Sequence, residues 1–357
     1  MIKLLVLAFI TCSCQNPFGE DTVVSVNNPQ GTKSNAKAII TGHIDLTFEA
    51  NSTKELDISL SDSDDPLKCS DITIETSDST LISSAEIVIT GIAPNCKLKF
   101  SPKLNIVGEA TVQLSVSDTK DTTTVTMKIT TTFIPSVISN ITSWYDPKDT
   151  DTLFTDSSCT NAANNGDPIG CMKDKSSTTA KATANGADRP SVQNGALKFV
   201  GDANGNVNGH CFNISPMNAR TIIMVIDNAQ NGTGGIHGLL GGPSGKYLFL
   251  STAQGYGISF DGSGSDTGKY SINDGTFSTV DEDAGGSNIN SDLQLISMEY
   301  TTYQSGWISL GCFDNGGAQL RYRPNFDLYD FITFDRVLTS SELLKVQNFL
   351  NEKHSIY

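Results

Sequence analysis

The stretch "GDANGNVNGH" carries oxygen-bearing side chains at every second position. Asp202, Asn204 and Asn206 are spaced so that their oxygens can converge on one hard cation such as Ca²⁺. The stretch departs from the helix–loop–helix calcium pattern, because Val207 stands where that loop turns on glycine and Asn213 where it needs a bidentate glutamate. Two interpretations stay open: a calcium- or sugar-binding loop, and a solvated Asn-rich turn.

Aromatic rings in the C-terminal half offer a second kind of contact. Tyr303, Trp307 and Tyr322 can stack on sugar rings where they are exposed, whereas aromatic residues in strands also serve as core. We take Trp307 and Tyr322 as candidate ligand-binding residues. The three oxygen-bearing residues above complete that set, and they are also the candidate metal ligands.

Patterns that would carry catalysis are absent from the sequence. The four histidines are not at metal-ligand spacing, and no G-x-S-x-G nucleophile motif occurs. The nearest acidic cluster, Asp281, Glu282 and Asp283, lies in a loop, whereas the paired carboxylates of a glycoside hydrolase must share one face. We expect a protein without catalytic residues.

The chain is acidic, with 24 Lys+Arg against 39 Asp+Glu in 357 residues and a formal net charge of -15. Because nucleic-acid binding needs a basic footprint, this balance argues against a nucleic-acid partner. Charged residues make up only 18% of the chain, and Thr, Ser, Asn and Gly are frequent. Such a composition is typical of an extracellular β-protein.

The N-terminus, "MIKLLVLAFITCSCQNPFGE", predicts export. Its apolar run from Leu4 to Ile10 is too short to cross a bilayer and is typical of a signal peptide, here residues 1–13. The following residues resemble the lipobox of bacterial lipoproteins, with Cys14 as the lipid-modified residue and Cys12 as a competing acceptor. Gln15 after the acceptor implies the outer membrane. A plain secretory signal is the alternative. Residues 14–36 are polar and predict a flexible tether.

Cysteine parity favours Cys14 over Cys12. Lipidation of Cys14 after cleavage leaves six cysteines, an even number that can pair fully in an oxidising compartment. Lipidation of Cys12 would leave Cys14 as a free thiol.

Short alternating runs fill the stretch from residue 37 to 134. In "ATVQLSVSD", Val112, Leu114 and Val116 alternate with polar residues, and "TTVTMKITT" repeats the pattern with Met127 and Ile129. Period-two runs separated by turns at roughly ten-residue intervals predict an antiparallel β-sandwich.

The same stretch resembles bacterial immunoglobulin-like repeats. The resemblance rests on "ITIETSDSTLISSAEIVITG" and "KLKFSPKLNIVGEATVQLSVSDTKDTTTVTMKITT", which follow that family's order of strands and turns. It implies an immunoglobulin-like sandwich, within which parity and proximity in sequence pair Cys69 with Cys96. The acidic turn "SDSDDPLKC" offers oxygen ligands for Ca²⁺, or is simply solvated.

Residues 137–357 resemble the laminin-G-like jelly-roll domains of the concanavalin A-like lectin superfamily. The motifs occur in the family's order: "WYDPKDTDTL", "DKS", "RPSVQNGALKFVGD" and "FDRVLTSSELLKVQNFL". The matching positions are Trp144, Asp146, Asp149, Leu153, Asp174, Lys175, Ser176, Arg189, Pro190, Leu197, Phe199, Asp202, Phe334, Asp335, Arg336, Leu338, Glu342 and Leu350. Met172 stands where the family has Trp. The resemblance implies a jelly-roll sandwich.

A helix is predicted at the C-terminus. Thr339 and Glu342 form a T-x-x-E capping box, and Leu343, Val346 and Leu350 recur at helical spacing. In the lectin-like family this helix packs at the flank of the sandwich, which such an apolar face suits. Strands are predicted before it at "RTIIMVID", "YLFLSTA", "GISFDG", "QLISMEYT" and "GWISLGCFD".

The four remaining cysteines predict two disulfides in this unit. Cys159 and Cys171 bracket a short loop, whose closure contributes about 3 kcal/mol in the chain-entropy model. Cys211 and Cys312 would then join distant strands. A zinc site is the alternative, but the sequence has no C-x-x-C pair.

These observations predict an all-β protein: an immunoglobulin-like sandwich, then a concanavalin A-like jelly-roll sandwich with a terminal α-helix. The expected function is non-catalytic recognition or adhesion at the cell surface. The expected partner is a glycan or a surface protein, with the membrane reached only through the lipid anchor and Ca²⁺ as the one cofactor suggested. Two alternatives stay open: a structural envelope component, and a glycoside hydrolase or lyase.

Overall fold

The computed structural model describes residues 35–118, 120–176, 180–184, 186, 189–201, 210–230, 236–241, 247–251, 257–261, 268–273, 275, 277–280, 292–312 and 325–357. Residues 1–34, which hold the predicted signal peptide, Cys14 and most of the tether, lie outside this set. The described architecture is all-β with a C-terminal helix, as the sequence predicts.

Eight strands form the N-terminal unit. In chain order they are β1 (Ile39–Thr41), β2 (Leu46–Glu49), β3 (Lys54–Ser61), β4 (Thr73–Thr76), β5 (Ile87–Ile92), β6 (Asn95–Phe100), β7 (Gly108–Ser117) and β8 (Thr122–Thr132). One sheet has the order β1-β3-β6-β5 and the other β2-β8-β7-β4. Strand β2 is parallel to β8, and the other pairs are antiparallel. This two-sheet order is immunoglobulin-like.

The two sheets meet in one core. Val112, Leu114 and Val116 of β7 are buried, as their alternation predicts. Burying such a side chain stabilises the folded state by roughly 1.5–3 kcal/mol. Cys69, just before β4, forms the predicted disulfide with Cys96 of β6, and both cysteines are buried members of this core.

Strands β1 and β2 are missing from the sequence prediction. They have only three and four residues, which is too short for a period-two pattern to stand out. Their places depend on partners far along the chain. Leu46 of β2, for example, pairs with Ile129 of β8.

The C-terminal unit contains fourteen named strands. They are β9 (Ile141–Tyr145), β10 (Leu153–Phe154), β11 (Cys171–Lys173), β12 (Lys181–Thr183), β13 (Ser191–Gln193), β14 (Ala196–Phe199), β15 (Phe212–Gln230), β16 (Ile236–Gly241), β17 (Tyr247–Ser251), β18 (Gly257–Asp261), β19 (Gly268–Ile272), β20 (Ser278–Val280), β21 (Gln294–Leu310) and β22 (Asn325–Phe334). Helix α1 (Ser340–His354) follows the last strand.

The strands of this unit form two layers. Two long strands, β15 and β21, are part of both layers. The second half of β15 pairs with β22 and with the first half of β21, and β9, β14 and β19 extend that layer. The first half of β15 pairs with β12 and with the end of β21, beside β16. Side chains from both layers form one core, with Phe212 and Leu240 from one layer and Met224 and Phe331 from the other.

Bulges carry the long strands through this change of layer. The ladder loses register between Asn213 and Met217 of β15, and Pro216, which has no N–H to donate, lies in that interval. Gly306 of β21 lies at the next irregularity, where Trp307 still pairs with Met217. The sequence predicted two strands in this region, but β21 is one bent strand, because a bulge bends the chain without a turn.

Helix α1 begins as predicted. The Thr339 Oγ1 accepts from the Glu342 N–H, and the Glu342 carboxylate accepts from the Thr339 N–H. Leu343, Val346 and Leu350 are buried against the outer face of the layer that contains β9 and β22. In the described part of the chain, no helix is long and apolar enough to span a bilayer.

The C-terminal unit contains both predicted disulfides, Cys159–Cys171 and Cys211–Cys312. They close loops with sequence separations of 12 and 101. With Cys69–Cys96, all six cysteines that follow the N-terminal segment are paired. Because disulfides persist in oxidising compartments, this pairing indicates an exported protein.

Candidate functional site

Most of the predicted ligand-binding residues lie outside the described part of the chain. Asp202, Asn204 and Asn206 fall within residues 202–209, and Tyr322 falls within 313–324. Trp307 lies near the end of β21, where the backbone is described and the side chain is not. The calcium- or sugar-binding loop therefore stays a prediction.

The acidic turn after β3 brings three carboxylates together. One oxygen from each of Asp62, Asp64 and Asp65 lies within 4.8 Å of the others. The backbone N–H groups of Asp64 and Asp65 donate to Asp62 Oδ1, and the N–H of Ala36 donates to Asp64. Such bonds are also what a solvated Asp turn makes, so both readings of this turn stay open.

The start of the described chain lies at the β7–β8 turn. The side-chain amide of Asn35 donates to Asp118 Oδ2 and to Asp121 Oδ2, at 3.0 Å each. Asp118 is 2% exposed, and its other oxygen accepts from the backbone of the turn. The chain therefore enters the N-terminal unit at the end where β8 begins.

Residues of the lectin-like motifs meet in a buried ionic network. Asp146 lies 3.0 Å from the Lys175 ammonium and 2.7 Å from that of Lys353. Burial opposes ionisation of Asp146, but the charges of Lys353 and Lys175 outweigh it and hold its pKa below the ordinary value. Burial likewise opposes the charge on Lys175, whose pKa is nevertheless raised by Asp146 and Asp149.

The same motifs hold the "DKS" segment against β9. One oxygen of Asp174 accepts from the backbone N–H groups of Trp144 and Ser176, at 2.8 Å each. The Lys175 ammonium lies 4.5 Å from the ring centroid of Trp144, within range of a cation–π interaction. These motif residues thus have structural roles in the protein.

Asp330 of β22 completes the network and is fully buried. Trp144 Nε1 donates to its Oδ1 at 2.9 Å, Lys353 Nζ donates to its Oδ2 at 2.7 Å, and His354 Nε2 lies 2.5 Å from Oδ2. A buried carboxylate is tolerated only with partners of this kind. The last turn of α1 is therefore tied to both β22 and β9.

A cleft of about 990 Å³ lies between the N-terminal unit and α1. One wall carries Glu49, Asn105 and Val107 of the N-terminal unit. The opposite wall is the face of α1 with Lys345, Asn348, Phe349 and Glu352. Phe133, in the linker between β8 and β9 (residues 133–140), also lines the cleft. We call this space the inter-unit cleft.

The inter-unit cleft combines apolar and polar groups. The rings of Phe133 and Phe349 meet edge to face, with centroids 6.0 Å apart. Glu49, Lys345 and Glu352 make no ion pair with any other residue that the structure describes. Concave sites of this size at domain boundaries, mainly apolar with a few polar groups, are where small ligands usually bind.

Sequence reasoning missed this cleft. Its walls come from the two ends of the described chain, and no spacing pattern joins them. One signal was present in the linker "FIPSVIS", which is apolar where a free linker would be polar. Ile134 and Ile138 of the linker are in fact buried, in one cluster with Ala50 and α1.

No protein-family model matches the chain, and no curated protein matches it significantly. Among solved structures, titin M4 (trigonal form) is 10% identical with a TM-score of 0.22, covering 28% of this chain and 99% of that one. Titin M3 is 13% identical with a TM-score of 0.22, covering 28% and 100%. A chimeric titin Z1Z2 tandem is 8% identical with a TM-score of 0.21, covering 77% and 95%. Scores this low carry no weight for function.

Proposed function

We propose that the protein is an exported, outer-membrane-anchored lipoprotein that recognises a glycan without catalysis. The N-terminal sandwich serves as a spacer, and the C-terminal unit, a jelly roll by its sequence motifs, is the module presented. The observation that carries the proposal is the position of the inter-unit cleft, at the end of the spacer opposite to Asn35.

The distance between Asn35 and the inter-unit cleft follows from strand geometry. Asn35 is bonded at the β7–β8 turn, and the 11 residues of β8 lead from there to Thr132 at the cleft. At about 3.4 Å per residue, β8 spans roughly 37 Å. A chain anchored at its N-terminus would therefore hold the cleft well away from the membrane.

The chemistry of the cleft favours a neutral oligosaccharide. Its charges without ion-pair partners among the described residues are two carboxylates and one ammonium, so a strongly charged ligand has no complement there. Amide and carboxylate groups pair with hydroxyls, and the rings of Phe133 and Phe349 offer apolar surface for the C–H face of a sugar.

A glycan array probed with the full chain tests this function. We expect binding to neutral oligosaccharides that Asn348→Ala weakens at least tenfold, while Leu344→Ala, on the exposed side of α1, leaves it unchanged. Loss with Asp202→Ala or Trp307→Ala instead would move the site to the predicted loops. Binding to proteins alone, or turnover of a polysaccharide, would refute the proposal.

A further inference from the structure

Lys353 and Asp330 form a buried pair between the last turn of α1 and β22. The Lys353 Nζ lies 2.7 Å from Asp330 Oδ2, and the two side chains are 15% and 0% exposed. Surface ion pairs exchange readily with water, but this nitrogen is held against the carboxyl groups of Asp330 and Asp146, where water is largely excluded. An amine and a carboxyl group held together in this way are the two reactants of an amide bond.

Three further groups surround the pair. Each contacts an atom of Lys353 or Asp330 that would take part in amide formation. Asp146 Oδ1 lies 2.7 Å from Lys353 Nζ, within reach to accept a proton from it. Trp144 Nε1 donates to Asp330 Oδ1, the oxygen on which negative charge would develop. His354 Nε2 lies 2.5 Å from Asp330 Oδ2, the oxygen that would leave.

We propose that Lys353 and Asp330 condense into an intramolecular amide bond that joins α1 to β22. Asp146 acts as the base, Trp144 stabilises the charge on Oδ1, and His354 is the acid for the leaving oxygen. The reaction needs no oxidant and no cofactor.

The step balances as ammonium plus carboxylate giving amide plus water. The Nζ–Cγ bond forms and the Cγ–Oδ2 bond breaks. Nitrogen loses two protons, one to Asp146 and one to Oδ2. The Oδ2 atom gains a second proton from protonated His354 and departs as water. Asp146 then returns its proton to His354 through solvent, so that both end as they began.

One movement of the lysine is required. Nζ now lies beside Oδ2, whereas attack needs it roughly 3–3.5 Å above Cγ, out of the carboxyl plane. Rotation about the side-chain bonds of Lys353 supplies this movement, and its partial exposure leaves a route for the released water.

Lys175 provides a matched comparison in the same network. It contacts Asp146 at 3.0 Å and Asp149 at 2.9 Å. Within the described part of the chain, neither carboxyl group has an indole N–H on one oxygen and an imidazole on the other. We expect Lys175 to remain an ion-pair partner.

Peptide mapping of the full chain by mass spectrometry tests the bond. After reduction and trypsin digestion, we expect the peptide that contains Asp330 joined to the C-terminal peptide that contains Lys353. Its mass should be about 18 Da, one water, below the sum of the two. The disulfide-reduced chain should also migrate faster than Lys353→Arg in denaturing gels.

Three variants complete the test. Lys175→Arg should keep the joined peptide, and Lys353→Arg should lose it. His354→Gln should slow its appearance after synthesis by tenfold or more. The proposal would be overturned if the natural chain gave the two peptides separately, each at its full calculated mass. A loss of water located at any other pair of residues would also overturn it. Folding of the variants does not enter that decision, because it rests on the natural chain.

Discussion

Arg336 and Glu342 form a two-bonded ion pair at the start of α1. Their nitrogen–oxygen distances are 2.8 and 2.6 Å, and Glu342 also accepts from the backbone of Thr339. Of the groups around Glu342, Arg336 has the largest effect on its pKa, through its hydrogen bonds. Together with those from Thr339, they outweigh partial burial and lower the pKa of Glu342 to about 2. Because this value is below the ordinary 4.5, the pair stabilises the protein above pH 4.5 and loses that effect as the pH falls towards 2.

Replacing the carboxylate should remove this pH dependence. We expect Glu342→Gln to lower the free energy of unfolding by about 1–2 kcal/mol at pH 7, since a hydrogen-bonded charge is lost. The difference from the natural chain should shrink between pH 4.5 and 2. Denaturant unfolding across this range measures it. Glu352→Gln, on the exposed face of the same helix, should change little, and an equal effect of both variants would contradict the assignment.

Gly311 requires glycine for two reasons. Its φ is +78°, and a Cβ at this position would overlap the ring of Phe199, which stacks on Phe326. We expect Gly311→Ala to destabilise the C-terminal unit by about 1–3 kcal/mol through strain and overpacking. Thermal unfolding checks this.

Gly166→Ala separates the two causes, because Gly166 also has a positive φ, +95°, but has open space around its added Cβ. The loss of stability in Gly166→Ala should be smaller than in Gly311→Ala. Equal losses for the two variants would show that backbone strain alone accounts for the effect.

Helix α1 is held to the sheet by its buried stripe. Leu350 has no exposed surface, whereas Leu344, outside the buried stripe, is 53% exposed. We expect Leu350→Ala to cost about 2–5 kcal/mol, since it leaves a cavity, and Leu344→Ala to change stability by less than about 0.5 kcal/mol. Denaturant unfolding of the two variants measures both. Similar values would mean that α1 is not docked.

Local signals were enough to predict most elements. Helix α1 was predicted in full, because its capping box and its apolar spacing lie within one short segment. Strands β3 to β8 were found by alternation. The continuity of β21 was not, since Gly306 reads as a break in sequence and becomes a bulge only through pairing with β15.

The candidate sites were less predictable because they depend on distant contacts. Trp144 and Asp146 stood out as motif positions, but nothing in their spacing indicates Lys353 as a partner. The inter-unit cleft is likewise lined by residues that lie far apart in the sequence, such as Glu49 and Glu352. The predicted loop at Asp202 lies outside the described residues, so its role stays a prediction.

At the scale of the whole molecule, α1 packs on both units. Ala50 of the N-terminal unit and the linker residues Ile134 and Ile138 share one buried cluster with the helix. The edge-to-face contact of Phe133 with Phe349 adds to this junction. The two units should therefore move as one body.

Loosening the junction should separate the units without unfolding them. We expect Phe133→Ala to weaken it by about 1–3 kcal/mol, because an aromatic pair and its buried area are lost. Small-angle scattering should then show a larger radius of gyration, and proteases should cut the linker faster. Leu104→Ala, at an exposed position, is the control. An unchanged radius for Phe133→Ala would argue against a rigid junction.

The parallel pairing of β2 with β8 has a mechanical consequence. A load between the N-terminus and the C-terminal unit pulls the chain before β2 one way and the end of β8 the other way, along the strands. The backbone hydrogen bonds that join residues 46–49 of β2 to β8 are then loaded in shear. They resist together instead of opening one after another. A tether that bears flow or adhesion forces would gain resistance to extension from this arrangement.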